Sequence, residues 1–221
     1  PQTEELIART KSLLNVNFLN QKLTSFENVL YSLANALNAK DHYTQGHAAR
    51  VAQMAEAVGG LLGLDVELLH ALKTGGLLHD VGKIGVSERI LNKPGTLTKE
   101  EMKEMRRHPV LGYTICLPLK DNLGNALEVI RHHHERLDGS SYPDGLKGDE
   151  ISISSRIMAV VDVYDALTTN RPYRAAYSPA MALAILQEEC DEGKMDQLVV
   201  NSLNSVLKQK SSIGSDIISQ R

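Results

Sequence analysis

The most constraining feature of this sequence is the helical spacing of its apolar residues. Near the start they recur at alternating intervals of four and three residues: Leu19, Leu23, Phe26, Leu30, Leu33 and Leu37. Such spacing places side chains on one face of an α-helix. Strict alternation, which is typical of a half-buried strand, extends over only four residues, 151–154. The sequence therefore predicts an all-α bundle of about seven to nine helices with a long N-terminal helix.

Capping residues mark where several of these helices begin. Asp65 precedes an apolar run as a helix N-cap does, and Thr98 can form a capping box with Glu101. Ser178 is followed by a proline at the first helical position. The last helix is predicted over Gln197 to about Lys208, followed by a frayed polar tail.

Composition limits the classes of protein that this chain can belong to. Its 221 residues are enough for one domain with a full core. A net charge of −3 argues against binding a nucleic acid polymer, and no apolar run is long enough to span a membrane. The two cysteines lack metal-site spacing, which favours a reducing compartment and a cytoplasmic location. A start at Pro1 is compatible with an excised fragment that has lost a leader.

The eight histidines are the unusual feature. A lone helical histidine is more often solvated or satisfied in the core than a ligand. However, two pairs change this interpretation, because His79–Asp80 and His133–His134 both fall where a helix is predicted to give way to a loop. A two-metal site suits such pairs, since one carboxylate can bridge two ions while imidazoles approach from several helices. The candidate ligands are His47, His79, Asp80, His108, His133, His134 and Asp162.

Five segments resemble, in order and spacing, the HD-GYP family, bacterial cyclic di-GMP phosphodiesterases within the HD phosphohydrolase superfamily. They are LLHDVGKIGV (77–86), ILNKPGTLT (90–98), HPVLG (108–112), HHERLDGSSYPDGLKGDEI (133–151) and DVYDALTTNRPYR (162–174). The resemblance runs from about Asn28 to about Val200. It implies an HD-type helical bundle with a catalytic domain over 23–208, a linker or signalling helix over 1–22 and a polar tail over 209–221.

The resemblance also assigns roles to individual residues. It implies that His47, His79, Asp80 and Asp162 hold one ion, and that Asp80 bridges to a second ion held by His108, His133 and His134. It implies two divalent ions per chain, with Fe favoured and Mn possible, while Zn, Ni and Co stay open. Asp80 and Lys83 would be catalytic. Lys83, Tyr142, Arg171 and Arg174 would contact substrate, and Asp165 and Arg156 would support the helix that carries Asp162.

Two positions depart from the family pattern. Three-metal members carry a glutamate four residues before the first ligand histidine, where this chain has Tyr43, so two ions are expected. The glycine of the Gly-Tyr-Pro signature is Ser141 here. If the loop requires a positive φ at that position, serine costs about 1–2 kcal/mol relative to glycine. A harmless substitution is the preferred interpretation, and impaired substrate placement is the alternative.

The implied reaction is hydrolysis of cyclic di-GMP to linear pGpG, with further cleavage to GMP left open. Two divalent ions would neutralise the phosphodiester and lower the pKa of a bridging water towards ~7. The alternatives are a cyclic di-GMP-binding scaffold with little turnover and a hydrolase of another cyclic dinucleotide. Residues 1–14 resemble the last helix of a response-regulator receiver domain, which leaves open an upstream receiver and a homodimer through the N-terminal helix as partners. The alternative is that this helix packs on its own domain, because the apolar spacing covers fewer than three heptads.

Overall fold

The computed structural model describes residues 46–170 and 174–218, with side chains as far as 209. Of the first 45 residues it describes only 5, 9, 11–14, 16–18, 21, 28–30, 32 and 34, all of which are helical. From residue 46 onward the described chain contains ten α-helices: α1 His47–Leu61, α2 Val66–Leu78, α3 Glu88–Leu91, α4 Lys99–Met105, α5 His108–Cys116, α6 Lys120–Leu123, α7 Ala126–His132, α8 Ile153–Thr168, α9 Pro179–Asp191 and α10 Gln197–Ile218. Short 3₁₀ turns span Val81–Gly85, Leu117–Leu119 and Gly148–Glu150.

The all-α prediction is confirmed, since no strand occurs in the described residues. The number of helices exceeds seven to nine because α3 and α6 have only four residues each. So short a helix has no room for a recognisable apolar period. The end predicted for the last helix at Lys208 is wrong, because α10 continues to Ile218. Ile213 and Ile217 stand four residues apart and extend the helical spacing into the serine-rich segment.

The predicted caps are confirmed. The Asp65 carboxylate accepts a hydrogen bond of 2.9 Å from the Leu68 backbone N–H at the start of α2. Thr98 and Glu101 form the reciprocal capping box of α4. The Ser178 hydroxyl likewise accepts from the backbone N–H of the third helical residue of α9. These local interactions satisfy N–H groups that a helix leaves without an intrahelical partner.

Two clusters of buried apolar side chains hold the helices together. The first cluster joins α1, α2, α7, α8, α9 and α10. The second joins α1, α2, α5, α6 and α7 to Leu30 of the N-terminal segment. Because α1, α2 and α7 contribute to both clusters, they connect the two halves of the core. The ligand candidates lie on or directly after these three helices and on the neighbouring helices α5 and α8.

Gly82 allows the turn after α2 to lie against the start of α5. A Cβ atom at this position would lie only 1.9 Å from the carbonyl oxygen of His108 and 2.4 Å from the backbone nitrogen of Gly112. Those atoms belong to main chain, which cannot swing aside as a side chain can. The close approach therefore brings Asp80 and His108, from separate elements, into one site.

We expect Gly82→Ala to lower the free energy of unfolding of the metal-free chain by about 1–3 kcal/mol, the usual cost of overpacking. Urea unfolding measures this change. Gly60→Ala is the matched control, because Gly60 is exposed in α1 and an added Cβ meets nothing within 4 Å. The control should be neutral or slightly stabilising. Equal stability of the two variants would contradict the close approach.

Candidate metal centre

The seven predicted ligands lie together where several helix ends meet. His47 begins α1, His108 begins α5, and His79–Asp80 directly follow α2. His133 and His134 directly follow α7, and Asp162 comes from within α8. The interpretation of the two adjacent pairs as helix-end residues is therefore confirmed. At a helix end the chain changes direction, so both members of a pair can face the same site.

Two groups of ligand atoms form within this cluster. His47, His79 and Asp80 offer one set of atoms within 4.8 Å of one another, and His108, His133 and His134 offer another. The Asp162 carboxylate joins the first group, since its Oδ1 lies 3.2 Å from His47 Nε2 and 3.8 Å from His79 Nε2.

The Asp80 carboxylate stands between the two groups. Its Oδ2 lies 3.3 Å from His79 Nε2, and its Oδ1 lies 3.4 Å from His108 Nε2. Two ligands held at about 2.1 Å from a tetrahedral ion are themselves about 3.4 Å apart. Each oxygen of Asp80 is therefore at a distance that would let it share a metal ion with the histidine it faces.

Main-chain carbonyls fix which ring nitrogen of three histidines faces the centre. The Nδ1 atoms of His79, His108 and His133 lie 2.8–2.9 Å from the carbonyl oxygen three residues earlier in the chain. A carbonyl oxygen can only accept, so each Nδ1 carries the proton and donates it. Each Nε2 is thereby left as a lone-pair donor that points into the centre.

Asp165 fixes the orientation of His47 in the same way. Its Oδ2 accepts a 2.7 Å hydrogen bond from His47 Nδ1, and Arg50 donates to both of its carboxylate oxygens at 2.7 and 2.8 Å. Asp165 was predicted to support the helix of Asp162. Its contact with a ligand imidazole from α1 is a more direct role, because such a partner sets the tautomer and the ring direction.

One buried atom supports the fit of a metal ion to this group. His79 Nε2 is enclosed and has no hydrogen-bond partner, although its Nδ1 is satisfied. A buried polar atom without a partner is destabilising. A divalent cation at this point would satisfy the nitrogen, so the residues present fit a metal.

Burial and mutual charge shift the pKa values of the ligands in different directions. Burial lowers the pKa of His108 to about 4 and that of His134 to about 3. Both imidazoles are consequently neutral at physiological pH, as a ligand must be. Burial also opposes protonation of His47, but its contacts with Asp162 and Asp165 prevail and raise its pKa to about 9.

Lys83 and Tyr142, two of the predicted substrate contacts, lie against the ligands. Lys83 Nζ is 2.7 Å from Asp80 Oδ2, and its charge helps to hold the pKa of the Asp80 carboxyl well below its usual range although burial acts to raise it. The Tyr142 ring lies 4.9 Å from the His134 ring, centroid to centroid. Burial raises the pKa of the Tyr142 phenol, which keeps its proton at neutral pH.

Glu135 holds the loop that carries Tyr142. Its side chain is 2% exposed, and its carboxylate accepts hydrogen bonds from three consecutive backbone N–H groups, those of Asp144, Gly145 and Leu146. Arg131 and His132 hold the Asp144 side chain from the other side. Sequence alone did not single out Glu135, and its position directly after His133 and His134 was the one available signal of a site role.

Ser141 adopts an ordinary backbone conformation. Every residue with positive φ in the described part of the chain is a glycine, so Ser141 carries no left-handed strain. The 1–2 kcal/mol cost considered for serine therefore does not apply. This result favours the interpretation of Ser141 as a harmless substitution.

The predicted arginines are placed differently. Arg174 donates to the carbonyl oxygens of Leu167 and Ala166 at 3.1 and 2.8 Å, and its guanidinium lies over the Tyr177 ring. These contacts direct it to the end of α8, so its predicted contact with substrate stays a prediction. Arg171 lies outside the described residues. Arg156 donates to the carbonyl oxygens of Ile151 and Gly148, which ties the end of the tyrosine loop to α8.

Comparison with known proteins gives consistent matches over most of the chain. A profile of the HD domain family matches residues 31–199. A 3'3'-cGAMP-specific phosphodiesterase of Vibrio cholerae is 38% identical over 85% of this chain and 44% of its own length. The cyclic di-GMP phosphodiesterase response regulator RpfG of Xanthomonas campestris is 42% identical over 71% of this chain and 42% of its own length.

The fold also matches a solved structure. An HDG"Y"P protein from Bdellovibrio bacteriovorus superposes with a TM-score of 0.61 at 22% identity, covering 73% of this chain and 51% of that protein. The chain spans less than half the length of the two curated relatives. Among the described helices, none has both the length and the apolarity needed to cross a bilayer.

We expect Asp165→Asn to weaken binding of the ion at His47, His79, Asp80 and Asp162 by about 10- to 100-fold, the usual effect of losing a ligand's orienting partner. Chelator competition with Mn²⁺ or Zn²⁺ measures the dissociation constant. The same substitution at Asp121, an exposed residue of α6, is the control and should leave affinity unchanged. Unaltered affinity in Asp165→Asn would contradict its orienting role.

We also expect metal loading to release close to one proton per chain at about pH 7.5, because metal requires the unprotonated Nε2 of His47. The raised pKa means that protonated His47 stabilises the metal-free fold below pH 6.5, and that this contribution is lost as pH rises through about 9. Metal affinity should therefore increase over the same range. Calorimetry in buffers of different ionisation enthalpy counts the protons. Binding without proton release at about pH 7.5 would contradict the assignment.

Proposed function

The chain belongs to the HD-GYP branch of the HD domain family, and from this membership we propose that it is a metal-dependent phosphodiesterase that hydrolyses cyclic di-GMP to linear pGpG. The observation that carries the proposal is the Asp80 carboxylate, whose two oxygens face two separate groups of metal-ligand atoms. Such a paired centre suits attack on a phosphodiester, whose charge must be neutralised on both the attacking and the leaving side.

We propose two divalent ions per chain. His47, His79, Asp80 and Asp162 would hold one, and Asp80, His108, His133 and His134 would hold the other. When bound, such ions neutralise a phosphodiester and make water a stronger nucleophile near neutral pH. Imidazole and carboxylate ligands without thiolate suit Fe or Mn, and also Zn, Ni or Co. A third ion is not proposed, because Tyr43 offers no carboxylate; that residue lies outside the described part of the chain.

Lys83 and Tyr142 would act on the substrate itself. The Lys83 ammonium stands at the edge of the centre, where it can stabilise negative charge that develops on the phosphate oxygens. The Tyr142 phenol stays protonated, so it can donate a hydrogen bond to phosphate and shield the centre from bulk water. Contacts from Arg171 and Arg174 remain part of the proposal on the strength of the sequence motif.

A second candidate substrate is 3'3'-cGAMP. The relative that covers the largest share of this chain among those described above is named for that substrate. Both molecules are cyclic dinucleotides with two phosphodiesters, and they differ in one base. The centre itself does not discriminate between bases, so both substrates belong in the test. A scaffold without turnover is the less favoured alternative, since Ser141 brings no backbone strain.

We further propose the domain division and setting expected from the sequence. Residues 23–208 would form the catalytic domain and 1–22 a signalling helix, while 209–221 would be a polar segment outside the domain, into which α10 continues as far as Ile218. Leu13 and Phe18 are 71% and 53% exposed, which supports a homodimer through the N-terminal helix. The name of the response-regulator relative supports an upstream receiver domain. Two free cysteines suit a cytoplasmic location.

The test is to load the chain anaerobically with Fe²⁺ or Mn²⁺, incubate it with cyclic di-GMP or 3'3'-cGAMP, and separate the nucleotides by chromatography. We expect pGpG from cyclic di-GMP and a metal content near two per chain. Asp80→Ala should lose metal and activity together, whereas Lys83→Ala should keep metal and slow turnover by roughly 100-fold.

Lys120→Ala, which removes an exposed lysine from α6, is the control for Lys83→Ala. Full recovery of both substrates from metal-loaded protein would reject the enzyme and leave the scaffold. A metal content near three would reject the two-ion proposal alone.

A further inference from the structure

Arg106 lies beside the candidate centre, but it is not part of any of the five segments that resemble the HD-GYP family. It follows α4 directly, and its guanidinium carbon is 5.1 Å from the centre of the Tyr142 ring. That ring in turn lies 4.9 Å from the ligand His134. The Tyr142 ring therefore lies between the Arg106 guanidinium and the candidate ligand His134. The Arg106 side chain is exposed, so it can contact a molecule bound at the centre.

The helix before Arg106 divides its charges between two faces. Lys99, Lys103 and Arg106 recur at intervals of four and three residues, which places them on one face. Of the three acidic residues of α4, Glu101 accepts from the backbone N–H of Thr98 and from Lys93, and Glu104 accepts from the backbone N–H of Ser87. Glu100 is exposed and lies off the face that carries the three cations. One face of α4 is thus basic and open to solvent.

This basic face lines a groove. The groove is shallow and open to solvent, and it is bordered by Leu97, Thr98, Lys99, Met102, Lys103 and Arg106. Leu97 and Met102 add apolar surface to it. Arg106 borders this groove and also lies against the Tyr142 ring.

A cyclic dinucleotide presents a requirement that the metal ligands alone do not meet. It carries two phosphodiesters in one small ring, so while one is at the centre the other lies a short distance outside it. Two other cations assigned to substrate have close partners here, since Lys83 pairs with Asp80 and Arg174 donates to main-chain carbonyls. Arginine suits the second phosphodiester, because its planar fork can bind two phosphate oxygens.

We propose that Arg106, with Lys99 and Lys103 on the same face of α4, forms a second anion subsite that binds the phosphodiester not undergoing cleavage. This inference rests on the proposed function, because it takes a cyclic dinucleotide as the ligand. Arg106 is a substrate-binding residue in this account, and the two lysines attract the ligand through their charge. The subsite favours substrates with two linked phosphates over those with one.

The test compares two substrates in metal-loaded protein. Cyclic di-GMP carries two phosphodiesters, whereas bis(p-nitrophenyl) phosphate carries one and probes the metal centre alone. Arg106→Met keeps the apolar contact with Tyr142 and removes the charge. We expect it to raise KM for cyclic di-GMP by about 10- to 100-fold, as the loss of a charged hydrogen bond does. Its kcat for cyclic di-GMP and its cleavage of bis(p-nitrophenyl) phosphate should stay within about twofold of the parent.

Three further measurements separate this role from a structural one. Arg106→Lys should recover part of the affinity, because it restores the charge without the fork. Arg106→Met should also reduce the dependence of KM on salt concentration, since one phosphate contact is lost. Arg107→Ala is the control, because Arg107 is a neighbouring exposed arginine that does not line the groove, and it should behave like the parent.

Each alternative outcome has a distinct meaning. If the parent hydrolyses cyclic di-GMP and Arg106→Met has an unchanged KM, the subsite is wrong while the proposed function stands. If Arg106→Met loses activity on both substrates equally, Arg106 supports the centre and the subsite is likewise wrong. If the metal-loaded parent consumes no cyclic dinucleotide, the proposed function fails and the subsite fails with it.

Discussion

The site depends on how a buried carboxylate, Asp80, is surrounded by positive charge and hydrogen-bond donors. Taking carboxylates such as Asp80 and Asp162 out of water is strongly unfavourable unless each is paired. In the metal-free chain Lys83 pairs with Asp80, and His47, with its raised pKa, pairs with Asp162. The metal-free centre is therefore held together by charge pairs between its own side chains. A bound divalent ion would offset the cost of burying these carboxylates more strongly, because it carries two positive charges.

The helix ends supply the second condition, which is ring orientation. His79, His108 and His133 each donate Nδ1–H to a carbonyl three residues earlier, at a point where a helix ends or begins. Carbonyls at such ends lack an intrahelical partner. The same groups that would otherwise need water thus fix three candidate ligands in the tautomer that metal binding through Nε2 would require. The helix ends thus serve the site directly, because their unpaired carbonyl groups orient the imidazole rings.

Much of this architecture was predictable because it is encoded locally. Helical spacing gave the fold class, short-range side-chain bonds gave the caps at Asp65, Thr98 and Ser178, and the paired histidines indicated helix ends. Contacts between distant segments were not predictable in this way. Asp165 and His47 are 118 residues apart, so only the packing of α8 on α1 brings them together. The meeting of Arg106 with Tyr142 likewise depends on how α4 and the tyrosine loop are placed.

The three backbone hydrogen bonds to Glu135 have a thermodynamic consequence for ligand capture. A segment rich in glycine and serine would lose much conformational entropy if it became ordered only when a ligand arrived. Glu135 orders this segment when the chain folds. The loss of conformational entropy therefore lowers the free energy of unfolding, and it does not weaken ligand binding. A molecule entering the centre meets a wall that is already assembled, and its affinity is correspondingly free of an ordering penalty.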